Sequence, residues 1–271
     1  MKTPWLVAAL QMVSGNDVRE NLAQARALVA QAAAQGAKLA VLPEYFCLLS
    51  PQSDAKFKAA EPFGQGPIQV ALASMARDYS VWLVGGTMPL RTDDASRVTN
   101  TQLVYGPDGS LVARYDKIHL FNYHNEREHY DEAQAVKAGK DVVVLEAGLG
   151  RIGLSTCYDL RFPELYRAMG VVDVIVVPSA FTTTTGQAHW EPLLRARAIE
   201  NQAYVVASAQ GGEHPGGRQT WGHSMVIDPW GEIIAEMELG AGVVVGQVKP
   251  ERLQAVRARL PALEHRVIGI D

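Results

Sequence analysis

Three side chains of this 271-residue chain have the types, and the local settings, that covalent hydrolysis needs: a thiol, a carboxylate and an ammonium. Cys157 follows the apolar run Ile152-Gly153-Leu154-Ser155-Thr156, where a buried strand gives way to a helix. A nucleophile on such a turn is presented at the sheet edge, and a helix N-terminus behind it favours a thiolate. The plain alternative is a small buried hydrophobe. Glu44 lies just past the apolar run Leu39-Ala40-Val41-Leu42, beyond Pro43, at a carboxyl end where α/β sheets place ligands. Walled by Tyr45, Phe46 and Leu48, it can act as a general base; a surface carboxylate in a loop is the competing account. Lys117 comes after a strand predicted over 111–115 and before Ile118 and Leu120, where an ammonium would stabilise an oxyanion. An ordinary solvated lysine is its alternative.

The elements that must position these groups follow from the hydrophobic pattern. A strand over 5–11 leads to a helix capped by Asp17, with Glu20 three residues on and an apolar stripe Val18, Leu22, Ala25, Val29, Ala32 that stops at Gly36. A strand over 39–42, a helix over 67–78 and a strand over 81–84 repeat the alternation. A hairpin then joins 102–105 to 111–115 through Pro107-Asp108-Gly109-Ser110. The segment 117–139 is polar and aromatic without clear period, as expected of a functional or partly helical loop. Beyond it the pattern predicts strands over 142–145, 152–156, 174–177, 204–208, 224–227, 233–237 and 243–248, and helices over 162–169, 189–202 and 251–260. No linker, repeat or low-complexity tract interrupts the chain. The expectation is one α/β domain over 1–271, a four-layer α-β-β-α sandwich of two packed sheets with helices outside.

Composition excludes several classes. A formal net charge of -4 leaves no excess of Lys and Arg for a nucleic-acid partner. No run approaches ~18 apolar residues, so no membrane span is expected. Two cysteines, Cys47 and Cys157, cannot staple a chain this long and suit a reducing, cytoplasmic setting. The apolar start Trp5-Leu6-Val7-Ala8-Ala9-Leu10 is read as the first buried strand and not as a cleaved signal, because no small-residue cleavage site follows it. The densest histidine cluster, His124-Asn125-Glu126-Arg127-Glu128-His129, lacks the His-Glu-x-x-His spacing, so neither metal nor other cofactor is expected. A papain-type pairing of Cys157 with His189 or His223 ranks lower, since the flanks of Cys157 lack that signature.

Leu42-Pro43-Glu44, Lys117-Ile118-His119-Leu120 and the twelve residues from Gly153 to Glu164 occur in that order. Later come Leu194-Arg195-Ala196-Arg197-Ala198-Ile199-Glu200-Asn201 and Gly222-His223-Ser224-Met225-Val226-Ile227-Asp228-Pro229-Trp230-Gly231. Over nearly its whole length the chain resembles the nitrilase superfamily of carbon–nitrogen hydrolases, and most closely the branch that holds deaminated glutathione amidase and ω-amidase. The resemblance implies Glu44, Lys117 and Cys157 as catalytic residues and Glu132, seven residues before Gly139, as a supporting carboxylate. Glu126 and Glu128 lie in the same segment and stay open as alternatives. It further implies a small-molecule amide substrate, at least a homodimer, and deaminated glutathione ahead of 2-oxoglutaramate. Specificity is expected in 45–66, 121–138 and 181–188. Substrate contacts are expected from Tyr158, Arg161, Phe181 and Thr182, although Arg161 has a structural alternative, pairing with Asp159 or Glu164. A non-catalytic binding protein on the same fold is the reading from a different class. It would leave unexplained why all three catalytic positions keep their chemical type.

Overall fold

The computed structural model describes residues 3–126 and 129–268. Two sheets dominate it. The first runs in the order Gly242–Val248, Trp5–Gln11, Ala37–Val41, Trp82–Val84, Val98–Tyr105, Met88–Arg91, with Leu111–Asp116 also paired to Val98–Tyr105. Its three central strands, beginning at Trp5, Ala37 and Trp82, are parallel. The second sheet runs Ile233–Met237, Ser224–Ile227, Tyr204–Ala209, Val174–Ser179, Gly150–Leu154, Val144–Ala147. There Val174–Ser179 lies parallel to both of its neighbours.

Strand side chains alternate between faces, and here both faces are covered. Val7, Ala9, Leu39 and Val41 pack against Ile152, Leu154, Val174 and Val176 between the sheets. On the far side of the first sheet, Ala8, Leu10 and Ala40 meet Leu28 and Val29 of the helix Val18–Ala34 and Leu72 and Met75 of the helix Pro67–Tyr79. On the far side of the second, Ile175, Val177 and Val205 meet Tyr166 of the helix Pro163–Ala168 and Trp190 and Leu194 of the helix Thr183–Asn201. Burial on both faces is why these strands read as unbroken apolar runs. The result is the expected α-β-β-α order of layers.

Several elements differ from the sequence reading. The helix predicted over 189–202 begins at Thr183, so 181–188 is mostly the start of a helix and not a loop. A proline is easiest in a first turn, which argues for a start near 189, yet Pro192 is carried inside the helix. The predicted strand 142–145 is shifted to Val144–Ala147, and the residues after Thr156 form a tight 3-10 turn, Cys157–Arg161, before the helix Pro163–Ala168. The helix Ala55–Ala59, the strand Met88–Arg91 and two hairpins, Asn122–His124 with His129–Asp131 and Gly211–Glu213 with Gln219–Trp221, were not expected. Segments of three to five residues are too short to carry a period. Among the described residues no helix is long and apolar enough to cross a membrane.

Candidate active site

The strand Ala37–Val41 delivers Glu44 to the gap between the sheets. Pro43 has no N–H to extend the ladder, and its carbonyl instead accepts from the Thr87 N–H at 3.3 Å. Tyr45 then takes a left-handed backbone (φ 57°), with its N–H donated to Thr87 Oγ1 at 2.9 Å. Glu44 is 1% exposed. Its Oε1 accepts from Lys117 Nζ and Asn100 Nδ2, both at 2.9 Å, and its Oε2 accepts from the Ala180 N–H at 3.0 Å. The surface-loop alternative for this residue is therefore wrong: a buried carboxylate is held by three donors.

Lys117 is equally buried, not solvated. Its backbone N–H is donated to the Asn100 carbonyl, and its Nζ bridges Glu44 and Glu132 Oε2, the latter at 2.8 Å. Glu132 also accepts from the Phe121 N–H at 2.8 Å, the Tyr45 hydroxyl at 2.8 Å and Asn100 Nδ2 at 3.0 Å. Burial alone would push the Lys117 ammonium down; the Glu132 and Glu44 carboxylates outweigh it and hold the group well above the usual lysine range. Burial would likewise raise Glu132, but the charge and hydrogen bond of Lys117, with the Phe121 N–H, keep it below the usual carboxylate value. Of the alternatives to Glu132, Glu126 is exposed and Glu128 lies outside the described residues.

Cys157 sits on its turn with φ 50°. A left-handed backbone on a non-glycine residue costs on the order of 1–3 kcal/mol and persists only where the surroundings enforce it. Asp159 does so. Fully buried, its Oδ2 accepts from the Thr156 N–H at 2.8 Å and the Tyr115 hydroxyl at 2.6 Å, and its Oδ1 from the His119 N–H at 3.1 Å. This ties the turn of Cys157 to both flanks of Lys117. The expected thiolate does not survive: burial, then the charge and hydrogen bond of Glu44, push the Cys157 thiol well above its usual value, against a smaller opposite pull from Lys117 and the Ala180 N–H. The group behind Cys157 is a single 3-10 turn, so little helix dipole is available to it.

These groups open into a cavity of about 320 Å³, at the small end of ligand-site sizes. Glu44, Lys117, Glu132 and Cys157 line it, as do Tyr158, Arg161, Phe181 and Thr182. All three segments expected to set specificity contribute to its wall. Arg161 does not pair with Asp159 or Glu164; its guanidinium lies over the Tyr158 and Phe181 rings at 5.8 and 5.6 Å and meets His189 Nδ1 at 3.2 Å. His189 is otherwise exposed, and His223 stacks on Trp221 and bonds Glu236, so neither makes a papain-type pair with Cys157. Among the described residues no cluster of ligands could hold a metal.

The carbon-nitrogen hydrolase family model matches residues 6–258. This chain belongs to that family. The hydrolase is 42% identical to a deaminated glutathione amidase of Synechocystis over 97% of its own length and 98% of the relative's. It is 36% identical to the omega-amidase NIT2 of Danio rerio, over 96% and 94%. Among solved structures it superposes on the C. elegans NitFhit protein with a TM-score of 0.88 at 35% identity, covering 98% of this chain but 65% of the longer one. The hydrolase acts on carbon–nitrogen bonds other than peptide bonds.

Sequence reasoning missed Asn100, which bridges both glutamates, and Asp159, which fastens the turn that carries Cys157. A signal existed for the first: Thr99-Asn100-Thr101 is a polar run inside a strand buried along its whole length, and a buried amide must find partners. Lys56, Tyr130 and Arg218, which also line the cavity, sit on or beside short elements that the pattern could not resolve.

Proposed function

We propose that this chain hydrolyses deaminated glutathione to 2-oxoglutarate and cysteinylglycine through a thioester on Cys157. The observation that carries the substrate is Arg161: a guanidinium facing the cavity beside the nucleophile turn, free of any carboxylate among the described residues. It is placed to take the carboxylate of a 2-oxo acid, with Tyr158, Phe181 and Thr182 around it. The likeness to the Synechocystis enzyme supports the same choice.

Glu44 takes the Cys157 proton as the sulfur attacks the amide carbonyl. The new oxyanion is held by Lys117 Nζ, whose third proton is left over from the bonds to Glu44 and Glu132, and by a backbone N–H at the start of the Cys157–Arg161 turn. Glu44 then gives the proton to the leaving nitrogen, the C–N bond breaks, and a thioester remains. Water next loses a proton to Glu44 and attacks the thioester, and the C–S bond breaks with that proton returned to the sulfur. With Cys157 neutral at rest, the cluster carries one net negative charge, and that charge is the same through each proton transfer. Little new charge is created in a buried site. Asn100, Tyr45 and Glu132 fix Lys117 and Glu44 and take no proton. The proposal includes a cytoplasmic protein that assembles as at least a homodimer.

Release of 2-oxoglutarate, ammonia or amine from a panel of amides and nitriles tests the substrate. The expected order in kcat/KM is deaminated glutathione, then 2-oxoglutaramate, then neutral aliphatic amides, N-carbamoyl amino acids and nitriles far behind. A neutral amide or a nitrile turned over as well as the first would overturn the substrate while leaving the chemistry at Cys157 standing. An omega-amidase is the second reading, favoured by the NIT2 likeness; it predicts 2-oxoglutaramate first.

A further inference from the structure

Two cations in the cavity wall have no task in this mechanism. Lys56, on the helix Ala55–Ala59, and Arg218, on the turn between Gly211–Glu213 and Gln219–Trp221, line the main cavity and also a side cavity of about 110 Å³. Arg161, Phe181 and Cys157 do not line that side cavity, so the pair marks a different part of the site from Arg161. Among the described residues neither cation makes a salt bridge, and the buried Arg218 Nε has no hydrogen-bond partner. The guanidinium lies 5.7 Å from the centre of the Tyr130 ring, which steadies its plane without neutralising it.

The acids nearby are already engaged. Glu132 acts on the charge of Lys56, but both its oxygens are taken by Tyr45, Asn100, Lys117 and the Phe121 N–H. Asp131 is used on the Ala133 N–H at 3.2 Å and Gln134 Nε2 at 3.1 Å. Burial pushes the Lys56 ammonium below its usual value; the Glu132 charge opposes this, and the like charge of Arg218 adds a smaller push in the same direction as burial. Two cations that face one cavity, with every nearby carboxylate oxygen already engaged, can both be met by an anion placed between them.

We infer that Lys56 and Arg218 form a second carboxylate site, which takes the terminal carboxylate of the leaving group and so sets the preference for a dipeptide amide over a primary one. The inference rests on the substrate reading above. Cysteinylglycine ends in a carboxylate, whereas the leaving group of 2-oxoglutaramate is ammonia. With Arg161 on the 2-oxo acid, the two ends of deaminated glutathione would each meet a guanidinium, one of them joined by an ammonium.

The test is the ratio of kcat/KM for deaminated glutathione to that for 2-oxoglutaramate, together with the C-terminal amide of deaminated glutathione, which lacks only the charge. The wild-type protein should prefer the acid over its C-terminal amide by at least tenfold. In Lys56→Gln and Arg218→Gln the ratio between the two substrates should fall at least tenfold and the preference for the acid should vanish, while Lys56→Arg restores most of both. A wild-type enzyme indifferent to the C-terminal charge overturns the inference. So does an unchanged ratio in both variants, or a loss suffered equally on the two substrates, which points to a structural role. If the wild-type protein turns over 2-oxoglutaramate but not deaminated glutathione, the substrate reading fails first and this site fails with it.

Discussion

Replacing Glu44 by glutamine keeps the shape of the side chain and removes its charge and its basicity. Three donors converge on this carboxylate: Lys117 Nζ, Asn100 Nδ2 and the Ala180 N–H. A glutamine oxygen can still accept the first two, but its NH₂ then faces the Ala180 N–H, donor against donor. A buried donor left unsatisfied costs about 1–3 kcal/mol, so the melting temperature should fall by a few degrees at roughly 2–4 °C per kcal/mol for a chain of this size. The chemistry suffers more. With no group to take the Cys157 proton or pass it to the leaving nitrogen, turnover should fall by ~10² to 10⁴, the usual range for a general base. The thiol should respond in the opposite sense. Glu44 is one of the causes that hold Cys157 protonated, while Lys117 pulls the other way, so Glu44→Gln should lower the pH at which iodoacetamide labels Cys157. The assay is therefore double: steady-state amide hydrolysis, and labelling followed by mass spectrometry across pH. Turnover within tenfold of wild type, or labelling that becomes slower, would refute the assignment of Glu44 as the base.

Cys157→Ala should leave less than about a hundredth of wild-type turnover with the fold intact. In the wild-type protein, labelling of Cys157 should still be rising at pH 9, because burial and Glu44 hold the thiol above that value; a plateau by pH 8 would contradict this. Cys47, buried and pushed up to about 12, should stay unlabelled. Lys117→Met should cut turnover by ~10²-fold or more and also destabilise, since Glu44 and Glu132 would share a dry site without their cation and breaking such a pair costs ~3–5 kcal/mol; a variant of normal stability argues against the buried cluster. Glu132→Gln should lower kcat at least tenfold through misplaced Lys117, with KM much less affected, and near-normal kcat would remove its positioning role.

How much of this was legible in the sequence follows from the range of each interaction. The long central strands and the helices Val18–Ala34 and Pro67–Tyr79 were readable because their signals are local: apolar runs, the Asp17 cap and Gly36. The four layers follow from strands apolar on both faces, which need cover on each side. The placing of Glu44, Lys117 and Cys157 just past strand ends was readable for the same reason, and the resemblance around Cys157 is what suggested the roles proposed for them. Whether each was buried or solvated was not readable. That was decided by contacts between positions far apart in the chain: Asn100 and Ala180 on Glu44, Glu132 on Lys117, Tyr115 and His119 on Asp159. The protonation of Cys157 belongs to the same class. A strand-to-helix turn predicts a thiolate from its own backbone, yet the tertiary structure brings a carboxylate from residue 44 against the thiol and shuts water out, and in a low dielectric those two effects outweigh the local one. Short elements such as Ala55–Ala59 and the two small hairpins lie beyond any periodic signal, because their conformation is fixed by what they pack against. Those are the elements that bring Lys56 and Arg218 to the cavity. The sequence alone thus determined the family, and with it the class of bond hydrolysed, while only the tertiary structure decided which side chains line the cavity, because their placing depends on contacts between positions far apart in the chain.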